Sequence, residues 1–160
     1  MRADESGPEA PDPAEIEDKA VRLLARREHS RKELQRKLRQ RQYPESLIAD
    51  TLELLEQRGY LDNQRFAEAF IRERIGKGHG PLRITADLRE RGIKDGMIRA
   101  LLDAAEVDWQ QQAAVVRERR FGTAPPANRT EWGRQGRFLA GRGFSAEQVR
   151  RVLGDGRGDD

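Results

Sequence analysis

Two histidines and one glycine-rich loop are the residues of this 160-residue chain whose types could carry chemistry. His29 and His79 lie 50 positions apart, and an imidazole can bind a metal ion or transfer a proton. Two isolated histidines do not make up a ligand set, so we interpret both as residues at helix junctions. The loop Gly76–Pro81 shares only its glycines with a phosphate-binding loop, which also needs a Lys-Ser/Thr pair and a preceding strand. We therefore predict a hinge there.

No other pattern in the sequence is typical of an enzyme. The chain has no cysteine, no Gly-x-Ser-x-Gly turn and no His–Glu metal spacing. Its acidic residues match helix caps and surface ion pairs. We therefore predict no enzymatic activity, no metal and no cofactor. Because no apolar stretch approaches the ~20 residues of a membrane span, we expect a cytoplasmic protein with no membrane partner. We also expect a monomer.

Basic side chains are concentrated in the body of the chain. The formal net charge is only +3, but residues 19–153 hold 29 basic and 18 acidic residues, which gives +11. Two segments are especially basic: residues 19–41 have ten basic and two acidic side chains, and residues 117–151 have nine and three. Such a field attracts polyanions, among them nucleic acid and acidic protein surfaces.

The elements that would position this charge come from an apolar pattern that occurs three times. Each copy has four apolar residues, and successive copies lie about 50 residues apart in the chain. The copies are Leu38, Tyr43, Ile48 and Leu52; Leu88, Ile93, Ile98 and Leu102; and Leu139, Phe144, Val149 and Leu153. A repeat of this length is one supersecondary unit that gains stability by stacking on its neighbours.

Helical spacing and capping signals divide each repeat into three helices. Capping boxes are predicted at Ser30–Glu33, Asn128–Glu131 and Ser145–Gln148, and Asp62 is predicted to cap a further helix. No alternating strand pattern occurs. We therefore predict an all-α fold of three tandem three-helix repeats, similar to helix-turn-helix units, that form an elongated, curved array.

The predicted domain boundaries follow the repeats. Residues 1–17 are expected to be a disordered acidic tail and residues 154–160 a flexible one. The repeats are predicted at 18–59, 60–107 and 108–153. Trp109, Trp132, Tyr60 and the phenylalanines could stack on bases, but their positions on apolar helix faces favour the core.

Two segments of the chain resemble the bacterial RecX family. The first is Gly59-Tyr60-Leu61-Asp62-Asn63-Gln64-Arg65-Phe66-Ala67. The second is Lys77-Gly78-His79-Gly80-Pro81, with Ser30-Arg31-Lys32-Glu33-Leu34 in support. The resemblance covers residues 18–153, and its motifs are most specific in the first two repeats. Asn63 stands where the family often has a second acid.

The resemblance implies three tandem three-helix repeats and a function. It implies an inhibitor of the RecA recombinase that binds along the groove of the RecA–DNA filament. Such a protein limits filament extension and suppresses strand exchange, ATP hydrolysis and co-protease activity. The implied partners are RecA and its DNA filament, together with single- and double-stranded DNA bound directly.

Basic residues from all three repeats are the candidate contacts to the filament or DNA. They are Arg26, Arg27, Arg31, Lys32, Lys37, Arg72, Arg74, Lys77, Arg83, Arg117, Arg119, Arg120, Arg134 and Arg137. Arg27, Arg74 and Arg119 occupy similar repeat positions, which suggests one stripe. Two alternatives stay open at this stage. The helix-turn-helix pairs could bind DNA alone, or the array could hold an acidic protein with no nucleic acid involved.

Overall fold

A computed structural model describes residues 11–156 of the chain. This part of the chain forms nine helices and no strands. They are α1 (Pro13–Arg26), α2 (Arg31–Gln40), α3 (Glu45–Gln57), α4 (Asn63–Gly76), α5 (Pro81–Glu90), α6 (Asp95–Ala104), α7 (Trp109–Phe121), α8 (Arg129–Arg142) and α9 (Ala146–Leu153). The all-α prediction with three helices in each repeat is therefore confirmed.

Side-chain caps fix the starts of most of these helices. Ser30 with Glu33 and Ser145 with Gln148 form complete capping boxes, as predicted. The carboxylate of Asp62 accepts from the amide of Gln64 at 2.9 Å. Asn128 accepts from the amide of Glu131. The Glu131 carboxylate instead accepts from the Gln135 amide group at 3.2 Å, so a complete box is not formed there.

The first helix starts earlier than the sequence predicts. Asp12 caps α1 by accepting from the amide of Ala14 at 3.0 Å, and Pro13 occupies the first helical position, where its missing N–H leaves no donor unsatisfied. Ile16 is fully buried one turn later. Residues 13–17 are therefore helical rather than part of a tail. Of the predicted tails, residues 1–10 and 157–160 lie outside the described residues.

The chain divides into two compact units, one ending at Phe66 and the other beginning at Ala67. In the first unit, α1, α2 and α3 pack on each other around one apolar core. Its buried members are Ile16, Ala20, Leu23, Leu34, Leu38, Ile48, Leu52, Leu55 and Leu61. They recur at three- and four-residue spacing, which places one face of each helix against the other two.

In the second unit, α7, α8 and α9 surround a smaller core. Ala113, Val116, Leu139, Phe144, Val149 and Leu153 are buried there. Trp109 and Trp132 pack against this core, which agrees with the predicted core role of the tryptophans. Tyr60, in contrast, is 54% exposed, so its predicted burial is wrong. It lies in the turn after α3, on no helix face.

A close backbone contact joins the start of α5 to the end of α8 within the second unit. The amide of Gly80 donates to the carbonyl of Arg142 at 2.7 Å, and the amide of Leu82 donates to the carbonyl of Gly143 at 3.0 Å. A Cβ on Gly80 would lie 2.4 Å from the carbonyl carbon of Gly143. The carbonyls that end α8 thus satisfy amides at the positive end of α5.

This contact changes the interpretation of the glycine-rich loop. Gly78, His79 and Gly80 are buried, and a Cβ on Gly78 would lie 3.1 Å from a methyl group of Val116. The loop is therefore a packed joint between the second and third repeats, and not the hinge that the sequence predicts. Because the amide of Gly80 is already bound to Arg142, it is not available to a phosphate.

The joint generates a stability prediction at Gly143. This residue has a φ of +102°, and a Cβ on it would lie 2.3 Å from the Cβ of Arg83. Gly143→Ala should lower the free energy of unfolding by about 2–4 kcal/mol, because strain and overlap add. Urea unfolding that is monitored by circular dichroism measures this change in the free energy of unfolding.

Gly141→Ala is the matched control in the same helix. A Cβ on Gly141 meets nothing within 4 Å, so alanine there should raise stability by about 0.5–1 kcal/mol through its helix propensity. Equal unfolding free energies for the two alanine variants would contradict the packed joint.

Candidate polyanion-binding surface

The candidate basic residues fall into groups that differ in whether their charge is already paired with a carboxylate of the same chain. One group is exposed and forms no ion pair within residues 11–156. It consists of Arg26, Lys32, Arg72, Arg83, Arg119, Arg120 and Arg137. Each repeat contributes at least two of these side chains. Their charges are available to an external anion.

A second group is bound to carboxylates of the chain itself. The Arg27 guanidinium lies 3.2 Å from the Glu33 carboxylate, and Arg31 pairs with Glu56. In the second unit, the Lys77 ammonium lies 2.9 Å from Glu73, one helical turn away. Arg134 is 3.9 Å from Glu131, a distance at the outer limit of an ion pair. Exposed pairs of this kind add little stability, but they reduce the charge available to a partner.

Glu33 takes part in two of these local interactions. Burial alone would raise the pKa of this carboxyl, but hydrogen bonds from Arg27 and from the Ser30 amide lower it below its usual value. The same ionised carboxylate therefore both caps α2 and neutralises Arg27. Arg27 is fixed as a part of the first repeat rather than left free.

Arg117 is not a surface residue. It is 8% exposed, its Nε donates to the Gln135 side-chain oxygen at 3.0 Å, and its terminal nitrogen donates to the carbonyl of Ala124. Its predicted role as a contact to an external partner is therefore corrected. The guanidinium instead ties α7 to α8 and to the loop that joins them.

Lys37 is directed toward a buried histidine. The Nδ1 atom of His29 lies 3.0 Å from the carbonyl of Arg27, and its Nε2 atom lies 2.8 Å from the Lys37 ammonium. Since a carbonyl only accepts, Nδ1 carries the proton and Nε2 accepts from Lys37. Burial lowers the pKa of His29, and the charges of Arg27 and Lys37 lower it further. Burial also lowers the pKa of Lys37. His29 is thus a neutral residue at a helix junction.

His79 occupies the equivalent junction in the second repeat. It is 5% exposed, and its Nδ1 atom has no hydrogen-bond partner among residues 11–156. Burial lowers its pKa, as do the nearby guanidinium groups of Arg83, Arg74 and Arg142. Arg74 stacks on the Phe70 ring at 4.5 Å, and its buried Nε atom has no hydrogen-bond partner in the described part of the chain. The three arginines therefore concentrate positive charge at the joint.

The predicted stripe of Arg27, Arg74 and Arg119 consists of residues in three different environments. Arg27 is bound to Glu33, Arg74 is stacked on Phe70, and Arg119 is exposed with no ion pair among the described residues. The common stripe stays a prediction.

The third repeat brings arginines together on two phenylalanine rings. We call Arg120, Phe121, Arg134, Phe138 and Arg142 the arginine–phenylalanine cluster. The two rings meet edge to face, with centroids 5.3 Å apart. Arg134 lies 5.4 Å from the Phe121 centroid, and Arg142 lies 5.1 Å from that of Phe138. Arg120 contacts both rings, at 6.0 and 5.7 Å. Each distance is within the range of a cation–π interaction.

Arg142 is not among the candidate residues that the sequence predicts, and the sequence favours the core for both rings. A signal for the cluster was present in the spacing, because Arg134, Phe138 and Arg142 follow each other at intervals of four along α8. That interval places three side chains on one face of a helix. The contribution of Phe121 and Arg120 from α7 depends on tertiary packing and leaves no such local signal.

The third helix of each repeat, which would read DNA in a helix-turn-helix, differs in charge between repeats. The exposed side chains of α3 include four acids and no base: Glu45, Asp50, Glu53 and Glu56. Those of α9 are Glu147, Arg150, Arg151 and an alanine. An acidic α3 surface opposes approach to phosphates. The first repeat therefore does not present a recognition helix suited to DNA.

The described residues offer no sign of a metal centre or a membrane span. Between residues 11 and 156, no group of three or more His, Asp or Glu residues is placed to hold a metal ion. In the same stretch, no helix combines the length and the apolar composition that crossing a membrane requires.

These features define a class of protein: tandem three-helix repeats that carry unpaired basic side chains. Three family models match the chain, described as the first, second and third three-helix domains of RecX, over residues 18–55, 62–102 and 106–153. The chain therefore belongs to the RecX family of regulatory proteins.

Individual relatives agree with the family models. The regulatory protein RecX of Halorhodospira halophila is 50% identical over 145 residues, which cover 91% of this chain and 90% of the relative. That of Acidithiobacillus ferrooxidans is 45% identical over 141 residues, covering 88% and 90%. The crystal structure of RecX from Lactobacillus salivarius superposes with a TM-score of 0.73 at 20% identity, covering 88% of this chain and 94% of that one. This last likeness supports the fold.

The correction at Arg117 can be tested by alanine substitution. Arg117→Ala should lower the free energy of unfolding by about 2–3 kcal/mol, because it leaves Gln135 without its charged partner in a buried position. Arg119→Ala, two residues away and exposed, should change stability by less than about 0.5 kcal/mol. Thermal and urea unfolding of both variants measure the difference. An Arg117→Ala variant as stable as the wild type would show that the buried contact is not structural.

Proposed function

We propose that this chain inhibits the RecA recombinase by binding along the groove of the RecA–DNA filament. In this proposal it limits filament extension, and it thereby suppresses strand exchange, ATP hydrolysis and co-protease activity. The observation that carries the proposal is the match of all three RecX domains, each of which holds exposed basic side chains without a carboxylate partner within residues 11–156.

The distribution of these side chains supports a multivalent contact. Arg26 and Lys32 lie in the first repeat, Arg72 and Arg83 in the second, and Arg119, Arg120 and Arg137 in the third. A filament presents the same acidic and phosphate groups at regular intervals, so repeats in one chain can each bind an equivalent site. Individually weak contacts then add, because after the first has formed the others are intramolecular.

The alternative is a helix-turn-helix regulator that acts through DNA alone. The acidic exposed face of α3 disfavours it for the first repeat. An adaptor that holds an acidic protein without nucleic acid is the other alternative. Both predict that RecA inhibition does not depend on the filament itself.

A titration of DNA-dependent ATP hydrolysis by RecA tests the proposal. With DNA in excess, this chain should inhibit at far fewer molecules than RecA protomers, because one bound molecule blocks the extension of a whole filament. Inhibition only after the chain has saturated the DNA would contradict the proposal and favour competition for DNA.

Charge reversal supplies the matched comparison for the same assay. The double variant Arg26→Glu with Arg119→Glu changes two exposed, unpaired side chains in different repeats and should weaken inhibition about tenfold or more. Arg36→Glu with Arg99→Glu makes the same change in net charge at exposed positions outside the candidate set, and it should inhibit nearly as well as the wild type.

A further inference from the structure

The arginine–phenylalanine cluster holds three guanidinium groups in fixed positions. Arg120, Arg134 and Arg142 each lie on a ring face that a second element of the repeat helps to position. A guanidinium stacked on a ring keeps its charge and directs its N–H groups outward along its edges. Such edges donate two parallel hydrogen bonds to a phosphate or carboxylate.

The charge of the cluster is almost unneutralised. Within residues 11–156, Arg120 and Arg142 form no ion pair, and the only carboxylate near Arg134 is that of Glu131 at 3.9 Å. The side chain of Arg134 is 64% exposed. Three like charges held together in this way favour a ligand with several negative charges in a row.

The spacing of the cluster fits a strand of nucleic acid. Arg134 and Arg142 are eight residues apart on α8, which corresponds to ~12 Å along the helix axis. Arg120 contacts both of the rings on which these two arginines lie. Since phosphates follow each other every 3.4 Å of duplex axis on one strand, this length corresponds to about three to four phosphate steps.

The surroundings of the cluster favour DNA over a protein partner. A stable protein interface needs large apolar side chains at its centre. The exposed large apolar residues among the described residues are Val21, Tyr60 and Leu82, and none of them belongs to the third repeat. The rings of Phe121 and Phe138 are occupied by guanidinium groups, so they do not offer free faces for base stacking.

We propose that the arginine–phenylalanine cluster is a binding site for consecutive DNA phosphates, with no base recognition. Arg120, Arg134 and Arg142 contact the phosphates, and Phe121 and Phe138 are positioning residues that hold the guanidinium groups. This inference deepens the proposed function, on which it rests for the presence of DNA near the chain, and it assigns the DNA-contacting part to the third repeat.

The test is the salt dependence of binding of the full chain to a fluorescently labelled oligothymidylate, measured by anisotropy. Each phosphate contact to a single strand contributes about −0.7 to the slope of log K against log salt concentration. Arg120→Gln with Arg134→Gln should therefore reduce the magnitude of the slope by about 1.4. Arg89→Gln with Arg99→Gln makes the same charge change beside Asp95, at 2.6 Å from Arg89, and it should leave the slope nearly unchanged.

A second variant separates positioning from charge. Phe121→Leu with Phe138→Leu keeps all three arginines but removes the ring faces, so affinity should fall about tenfold, since the side chains must then be ordered on binding. Circular dichroism and thermal unfolding establish that each variant is folded. The arginine variant changes only exposed side chains, so it tests the site even where the leucine variant is unfolded.

Several outcomes would overturn the site. These are no binding of oligothymidylate by the wild type, an unchanged slope in the arginine variant, and an equal loss in the control variant. An arginine variant that binds free DNA normally but no longer inhibits RecA would assign the cluster to protein carboxylates instead. Normal RecA inhibition with an unchanged slope would refute the site alone. A reduced slope with a wild-type chain that does not inhibit RecA would refute the proposed function alone.

Discussion

The amide of Gly80 donates to the carbonyl of Arg142, and this backbone contact fixes the start of α5 against the end of α8. Because these two backbone segments approach so closely, neither Gly80 nor Gly143 has room for a Cβ. The joint also determines where Arg142 lies, since its main chain is bound to Gly80 while its side chain extends to Phe138. The second and third repeats thus share a contact that positions one member of the arginine–phenylalanine cluster.

The position of an arginine in the structure, more than the number of arginines in its repeat, decides whether it can bind a partner. Arg31 is bound to Glu56, which reduces the charge that it can offer to a partner. Arg117 is enclosed between α7, α8 and their connecting loop, and it ties these elements together. Arg120 and Arg142 have ring faces as neighbours instead of carboxylates. A ring holds a guanidinium without neutralising it. The first and third repeats have a similar excess of basic residues. The third repeat nevertheless leaves more of its positive charge available to a partner.

Most of the fold could be predicted from the sequence because its determinants are local. Helical spacing and the caps at Ser30 and Ser145 depend on residues within four positions of each other, and the predicted helices and capping boxes are confirmed there. The burial of Arg117 depends on Gln135, 18 residues away, and the packed joint depends on a contact between distant glycines. No local pattern carries such information. The same limit explains why the sequence predicts a core role for Phe121 and Phe138 and no contact with Arg120.

We propose that the chain acts on the RecA–DNA filament through its basic surface, with the third repeat at the DNA. Electron cryo-microscopy of the chain bound to RecA filaments on single-stranded DNA tests this most directly. We expect density for the three repeats in the helical groove, with the arginine–phenylalanine cluster nearest to the DNA. Filaments without density in the groove, together with the chain bound only to DNA free of RecA, would contradict it.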